Sequence, residues 1–212
     1  MNVPKRLLAM VALVAAGEMI FSLPFHLPRY LRPSVLEGFN LTNSELGDIF
    51  AVYGVTAMLA YFPGGLIADK FNPKILIIIS LVATAIGGIY LATFPGVVGL
   101  AILYAYWGIT TIFLFWAGLM KSTREWGGDA AQGRAFGFLE GGRGLAAAVF
   151  ASIAVWLFAQ GIPTLEIINQ ADRRQALSSV IFLYTGLTFL AAISVAIWLP
   201  NNEKSGTYKP LK

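Results

Sequence analysis

With 212 residues, 57% of them hydrophobic and only 12% charged, the chain has about half the charge density of an average soluble domain. It contains no cysteine and one histidine, which excludes disulfides, thiol catalysis and a metal centre built on cysteine or paired histidines. A net charge of +4 could suggest nucleic acid, but the bases sit where they would orient a membrane protein, so no nucleic-acid partner is expected.

Apolar residues run in blocks of twenty or more, enough to cross roughly 30 Å of hydrocarbon as helix. An all-α integral membrane fold with six transmembrane helices is predicted, over residues 5–31, 44–68, 73–94, 97–120, 133–159 and 174–199. The lipid bilayer is the first expected partner. Lys5 and Arg6 before an apolar run resemble a secretory leader, but the run continues past leader length, so a retained first span is expected. Pro24 and Pro28 should bend its outer half. Thr42-Asn43-Ser44-Glu45 has the pattern of a capping box at the start of the second span. Pro63-Gly64-Gly65 should loosen the far end of that span, and Pro95-Gly96 should turn the third span into the fourth. The fifth span places Gly133, Gly137 and Gly141 in one row and Gly144, Ala148 and Ser152 in another. Because lipid gives helices no hydrophobic reason to pair, such rows predict close packing against neighbours. Asp172-Arg173-Arg174 reads as a solvated helix start. From Pro200 the polar residues read as the start of a cytoplasmic linker or tail, which leaves 1–199 as one six-helix bundle.

With six spans both termini lie on one side. If that side is inner, the inner segments hold Lys5, Arg6, Lys70, Lys74, Lys121, Arg124, Arg134, Lys204, Lys209 and Lys212. The outer ones hold Arg29, Arg32, Arg173 and Arg174. The excess predicts cytoplasmic termini in a plasma (inner) membrane.

Gly65-Leu66-Ile67-Ala68-Asp69-Lys70-Phe71-Asn72-Pro73-Lys74 joins the second span to the third with almost no loop. Asp69 there faces the negative end of its helix dipole, unfavourable by about 0.3–1 kcal/mol at a wet surface. It calls for a cationic partner, with Lys70, Lys74, Arg124 and Arg134 on the same membrane face. A contact made in one conformation only would bias a conformational equilibrium.

This string resembles the loop signature of the major facilitator superfamily, Gly-x-x-x-Asp-Arg/Lys-x-Gly-x-Arg/Lys-Arg/Lys. Gly65, Asp69, Lys70 and Lys74 match. Asn72 replaces the second glycine, a mild change since Asn tolerates left-handed backbone, and Ile75 replaces the last base. The Asn72-Pro73-Lys74 ending is similar to the organophosphate antiporter branch. Thr123-Arg124-Glu125-Trp126-Gly127-Gly128, Gln132-Gly133-Arg134-Ala135-Phe136-Gly137 and Gly141-Gly142-Arg143-Gly144 are similar to sugar-phosphate-permease-like members. The resemblance implies the N-terminal six-helix half of a twelve-helix fold, made of two inverted three-helix repeats around a central cavity. It implies alternating access, with the signature acid latching onto the other half. That half, or a second chain in its place, is then a missing partner. A lone half would set cavity-facing polar groups against lipid, so the chain by itself is expected to be inactive or unstable.

Glu18, near the middle of the first span, is a candidate for ion coupling or for the cavity. Its alternative is a structural partner for Arg143. Arg143, in the fifth span, suits an anionic solute. Glu140 lies one turn earlier at i, i+3, and the alternative is a locked Glu140–Arg143 pair. Arg29 is the nearest match to the helix-1 arginine of the phosphate branch. His26 reads as a capping or interfacial residue. Tyr104, Trp107 and Thr111 form one stripe that could stack on a sugar and bond its hydroxyls, or could be plain packing. Tyr53 is a further candidate. Gly65, Asp69, Lys70 and Lys74 form the gating motif. No catalytic constellation and no cofactor or ATP-binding loop is visible, so an enzyme is not expected. The expectation is half of a secondary active transporter (a permease) for a polar, anionic organic solute such as a sugar or sugar phosphate. The alternatives are a non-transporting solute receptor on the same scaffold, or an inactive truncated fragment.

Overall fold

The computed structural model describes residues 3–162 and 169–201. Among these it is helical, with no strand. Five helical spans are long and apolar enough to cross a membrane, and a bent pair makes the sixth. The linker or tail expected from Pro200 lies, from Asn202 onward, outside the described residues.

The first span is interrupted. Helix α1 (Val3–Met19) gives way to a π-turn (Ser22–His26) and then α2 (Leu27–Tyr30), and the two arms meet at 41°. The bend expected from proline is present, but the break precedes Pro24, at Ile20-Phe21. Pro24 has no N–H to return to the Ile20 carbonyl, so the backbone shifts register, and the His26 N–H donates five residues back to Phe21 O at 3.2 Å. Side chains brace the carbonyl just before the break. Met19 O accepts from Ser22 Oγ at 2.6 Å and from Thr188 Oγ1, across the bundle, at 3.0 Å.

A short α3 (Arg32–Phe39) ends on left-handed Asn40, and α4 (Asn43–Lys70) follows. The capping box forms as expected. Glu45 N donates to Thr42 Oγ1 (3.2 Å) and Thr42 N to Glu45 Oε2 (2.7 Å). The loosening expected at Pro63-Gly64-Gly65 does not occur, and α4 stays one helix to Lys70. Gly64 lies flush on the fourth span, where a Cβ would sit 2.7 Å from the Phe113 carbonyl oxygen. Lys121 Nζ donates to Ala68 O (2.9 Å) and ties down the end.

Helix α5 (Pro73–Leu91) starts on Asn72, whose side chain accepts from Lys74 N at 2.9 Å. Asn72 is extended (φ −65°, ψ 120°), so it serves here as a helix cap and not for left-handed tolerance. The fourth span comprises α6 (Val97–Gly108), a π-helical stretch (Ile109–Trp116) and α7 (Ala117–Gly127). Its irregularity coincides with Thr111, whose hydroxyl donates back to Trp107 O at 2.7 Å. The turn into it runs through Phe94 (φ 53°) and Gly96, as expected for Pro95-Gly96.

The fifth and sixth spans are α8 (Gln132–Gln160) and α9 (Gln170–Trp198). Asn169 and Asp172 cap α9 reciprocally, Arg173 pairs with Glu37, and Arg174 Nε donates to Gly38 O at 2.8 Å. The expected solvated start is therefore a docked one. The packing expected of the small residues on α8 is also corrected. Gly133, Gly137, Gly141 and Gly144 would meet nothing within 4 Å with an added Cβ, and Ala148 and Ser152 are exposed. Inside the chain α8 buries Ala135, Leu139, Ala151 and Ala154 instead. Along the glycine rows the face is open, with no described residue within 4 Å of an added Cβ.

Candidate functional site

Near mid-depth, α1, the π-turn and α8 bring four ionisable side chains together. Glu18 is 4% exposed. Its Oε1 is 3.2 Å from His26 Nε2 and its Oε2 is 3.6 Å from Arg143 Nε. Arg143 Nη1 donates to both Glu140 carboxylate oxygens, at 2.9 and 3.0 Å. Two carboxylates thus compete for one guanidinium, and Glu140 holds the hydrogen bonds. Arg143 Nε is buried and, among the described residues, has no hydrogen-bond partner.

Local sequence explains the assembly. Gly17 leaves room for the Arg143 stem to cross α1, since a Cβ there would lie 2.9 Å from Arg143 Cδ. Phe21 and Trp116 each present a ring 5.9 Å from the guanidinium carbon, adding cation–π attraction. Tyr30 and Tyr184 stand edge-on to His26, with centroids 5.8 and 6.5 Å away. The Tyr184 hydroxyl is buried without a partner among the described residues. An open groove of about 690 Å³ borders Tyr30 and runs along Ala148, Ser152 and Trp156 of α8.

Of the residues singled out from sequence, Glu18, Glu140 and Arg143 meet. His26, expected at a cap or interface, joins them. Arg29 is exposed, with its guanidinium 5.7 Å from the Tyr30 ring. Tyr104, Trp107 and Tyr53 lie elsewhere, in an apolar core to which all six spans contribute, with the buried Thr111 bonded to Tyr53. Tyr104 OH donates to Pro24 O (2.9 Å), Trp107 Nε1 to Thr84 O (3.1 Å), and Tyr53 OH bonds Thr111 Oγ1 (2.6 Å). No described hydrogen bond joins this set to Glu18 or Arg143.

At the opposite end of the bundle Gly65, Asp69 and Lys70 are exposed and Lys74 is half-buried. Among the described residues Asp69 forms no ion pair, with Lys70, Lys74, Arg124, Arg134 or any other cation. Sequence reasoning missed a clasp at this end. Arg6 Nη2 donates to Trp126 O (2.9 Å), Trp126 Nε1 donates to Arg6 O (2.7 Å), and the Arg6 guanidinium sits 4.6 Å from the indole. A cavity of about 570 Å³ opens beside it, lined by Arg6, Pro73, Ser122 and Trp126.

Comparison with known proteins supplies the framework. The chain is similar to the inner membrane protein YqcE of Escherichia coli, 27% identical over 95% of this chain and 45% of that protein. It is similar to the inner membrane protein YihN of the same bacterium, 34% identical over 69% of this chain and 34% of that protein. It also resembles the uncharacterized MG294 homolog of Mycoplasma pneumoniae, 22% identical over 98% of this chain and 46% of that protein. The chain thus spans less than half the length of each of these relatives. The family model of the Major Facilitator Superfamily matches residues 7–211. With that match across nearly the whole sequence, and the helical spans to accompany it, the chain belongs to the Major Facilitator Superfamily.

Proposed function

We propose that this chain is the N-terminal six-helix half of a secondary active transporter, which moves a polar, anionic organic solute by alternating access. The observation that carries the reading is the Glu18–His26–Arg143–Glu140 cluster. Ionisable groups at mid-membrane depth are costly, by several kcal/mol or more when unpaired, and face a polar cavity or pathway. Arg143 is the anion-binding group, because its buried Nε still has a hydrogen bond to give and guanidinium suits carboxylate or phosphate. The groove beside Tyr30 is in the size range of a small-solute site, and a guanidinium suits the phosphate of a sugar phosphate. The exposed small-residue face of α8 supports contact with a second six-helix half, and the exposed Asp69 supports a latch onto that half. Tyr53, Tyr104, Trp107 and Thr111 act by holding the first four spans in register, and Arg29 by drawing anions toward the groove. Both termini are cytoplasmic, in keeping with the excess of Lys and Arg at that end.

The test is uptake of labelled sugars and sugar phosphates into membrane vesicles carrying the protein with its second half. Arg143→Ala abolishes uptake while leaving the protein in the membrane. Unchanged uptake removes Arg143 from the site. Specific solute binding with no counterflow favours a receptor.

A further inference from the structure

We propose that the cavity beside the Arg6–Trp126 clasp is a second ligand site, which takes a small water-soluble organic anion bearing a phosphate or carboxylate. It is separate from the solute site proposed above, because Arg6 lies roughly 18 Å along α1 from Glu18 at about 1.5 Å per residue.

Three observations converge on this cavity. The first is an unpaired cation held still. Among the described residues Arg6 forms no ion pair. Its guanidinium is nonetheless fixed, by the hydrogen bond from Nη2 to Trp126 O and by the indole ring 4.6 Å away. A guanidinium carries several N–H donors in one plane. One that is positioned in advance binds phosphate or carboxylate at little further cost in ordering. The second observation is an orphaned hydroxyl. Ser122 lies one turn before Trp126 on the same face of α7 and lines the same cavity. It is 5% exposed, and its Oγ is buried without a partner among the described residues. Buried hydroxyls are ordinarily bonded, and a ligand oxygen supplies what this one lacks.

The third observation is shape. Helix α1 packs on α7, α7 on α5, α5 on α9 and α9 on α1, so the four make a closed ring. The cavity of about 570 Å³ sits within that ring, walled by Ala9, Pro73 and Leu199, and reaches Gly128 and Pro200 at the ends of the spans. It opens along the bundle axis toward water rather than sideways toward lipid, and its volume suits a small organic molecule. Charge agrees with an anion. Lys5, Lys70, Lys74, Lys121, Arg124 and Arg134 stand at the same end of the bundle, against Asp69, Glu125 and Asp129. Glu125, at the cavity itself, is exposed, so water and salt screen it. The charged group of the ligand sits on Arg6, its body on the apolar walls and a second oxygen on Ser122. An occupant so placed touches four spans at once and stabilises their arrangement by mass action.

The test uses ring-fluorinated tryptophan in nanodiscs of zwitterionic lipid, with the Trp126 signal assigned from Trp126→Phe. Glycerol 3-phosphate, glucose 6-phosphate and citrate are titrated at an ionic strength held constant with chloride. At least one is expected to shift the Trp126 signal saturably. Arg6→Gln is expected to weaken that binding at least about tenfold, the factor for one hydrogen bond to a charged group, and Arg143→Ala to leave it unchanged. Should Arg6→Gln fail to fold, Ser122→Leu, which fills the cavity and spares Arg6, must abolish the shift. No saturable shift from any of the three probes overturns the proposal, as does a shift that survives these substitutions. Loss of the shift in Arg143→Ala overturns it too, because the probe then sits at the mid-depth cluster. So does a probe response that disappears once phosphatidylglycerol is added to the nanodiscs, which makes the occupant a lipid headgroup. If uptake fails while the titration behaves as stated, the transporter reading falls and this site stands. If uptake proceeds and the titration fails, the reverse holds.

Discussion

Gly87 offers a sharp test of the packing in the centre of the bundle. A Cβ added there would collide with Trp107 Nε1 and lie 3.0 Å from Trp107 Cε2 and 3.1 Å from Leu103 Cδ1. Trp107 is fully buried and its indole N–H donates to Thr84 O at 3.1 Å. The ring therefore cannot retreat without losing that bond. Overpacking of this kind costs about 1–3 kcal/mol, and losing the indole bond costs about 0.5–1.5 kcal/mol more. Replacing a helical glycine with alanine returns about 1 kcal/mol. The net expectation for Gly87→Ala is a loss of about 2 kcal/mol, or a melting midpoint lowered by roughly 5 °C for a chain of this size. Gly54→Ala is the paired control, because nothing lies within 4 Å of its added Cβ. There only the propensity term remains, and stability should be unchanged or rise by up to about 1 kcal/mol. Both variants are followed by thermal melting in the same detergent. Equal midpoints for the two would refute the account of how α5 and the fourth span meet.

Three further outcomes follow from other contacts. Thr188→Val removes one of the two donors to Met19 O and should cost about 1 kcal/mol, with faster hydrogen exchange confined to residues around the break in the first span; unchanged exchange there contradicts the role given to Thr188. Thr42→Ala removes the cap of α4 and should cost about 1 kcal/mol, read as fraying of the first turn, with Thr42→Ser restoring protection. Trp126→Phe keeps a ring for Arg6 but loses the indole donor, so it should destabilise by about 1 kcal/mol, whereas Trp126→Ala loses the ring as well and should cost more.

The parts of this molecule that were legible in the sequence are the local ones. Span length, the Thr42–Glu45 box, the Pro95-Gly96 turn and the i, i+3 relation of Glu140 to Arg143 each involve residues a few positions apart. Their geometry follows from helix rise and twist alone. The pairing of Glu18 with His26 was not legible, because eight residues along a straight helix separate side chains by about 12 Å. The contact exists because the π-turn resets the register between them. For a similar reason the stripe of Tyr104, Trp107 and Thr111 could be placed on one face, but periodicity could not say which way that face looks. Their polar atoms meet Pro24 O, Thr84 O and Tyr53, none of which is near in sequence. The glycine rows of α8 have the spacing of close packing, yet no described residue packs on them. Small residues announce close approach without saying whether the approaching surface is in the same chain.

The two hydroxyls that serve Met19 O have a last consequence. An ordinary proline kink leaves a vacant carbonyl that solvent or a rearranged neighbour has to fill whenever the helix flexes, and so it works as a soft joint. Here the carbonyl next to the one that Pro24 vacates, Met19 O, is held by one group on the bent segment and one on α9. The first span is accordingly a rigid elbow clamped to the sixth, and the distance between the carboxylate below the elbow and the imidazole above it is built into the chain rather than left to thermal bending.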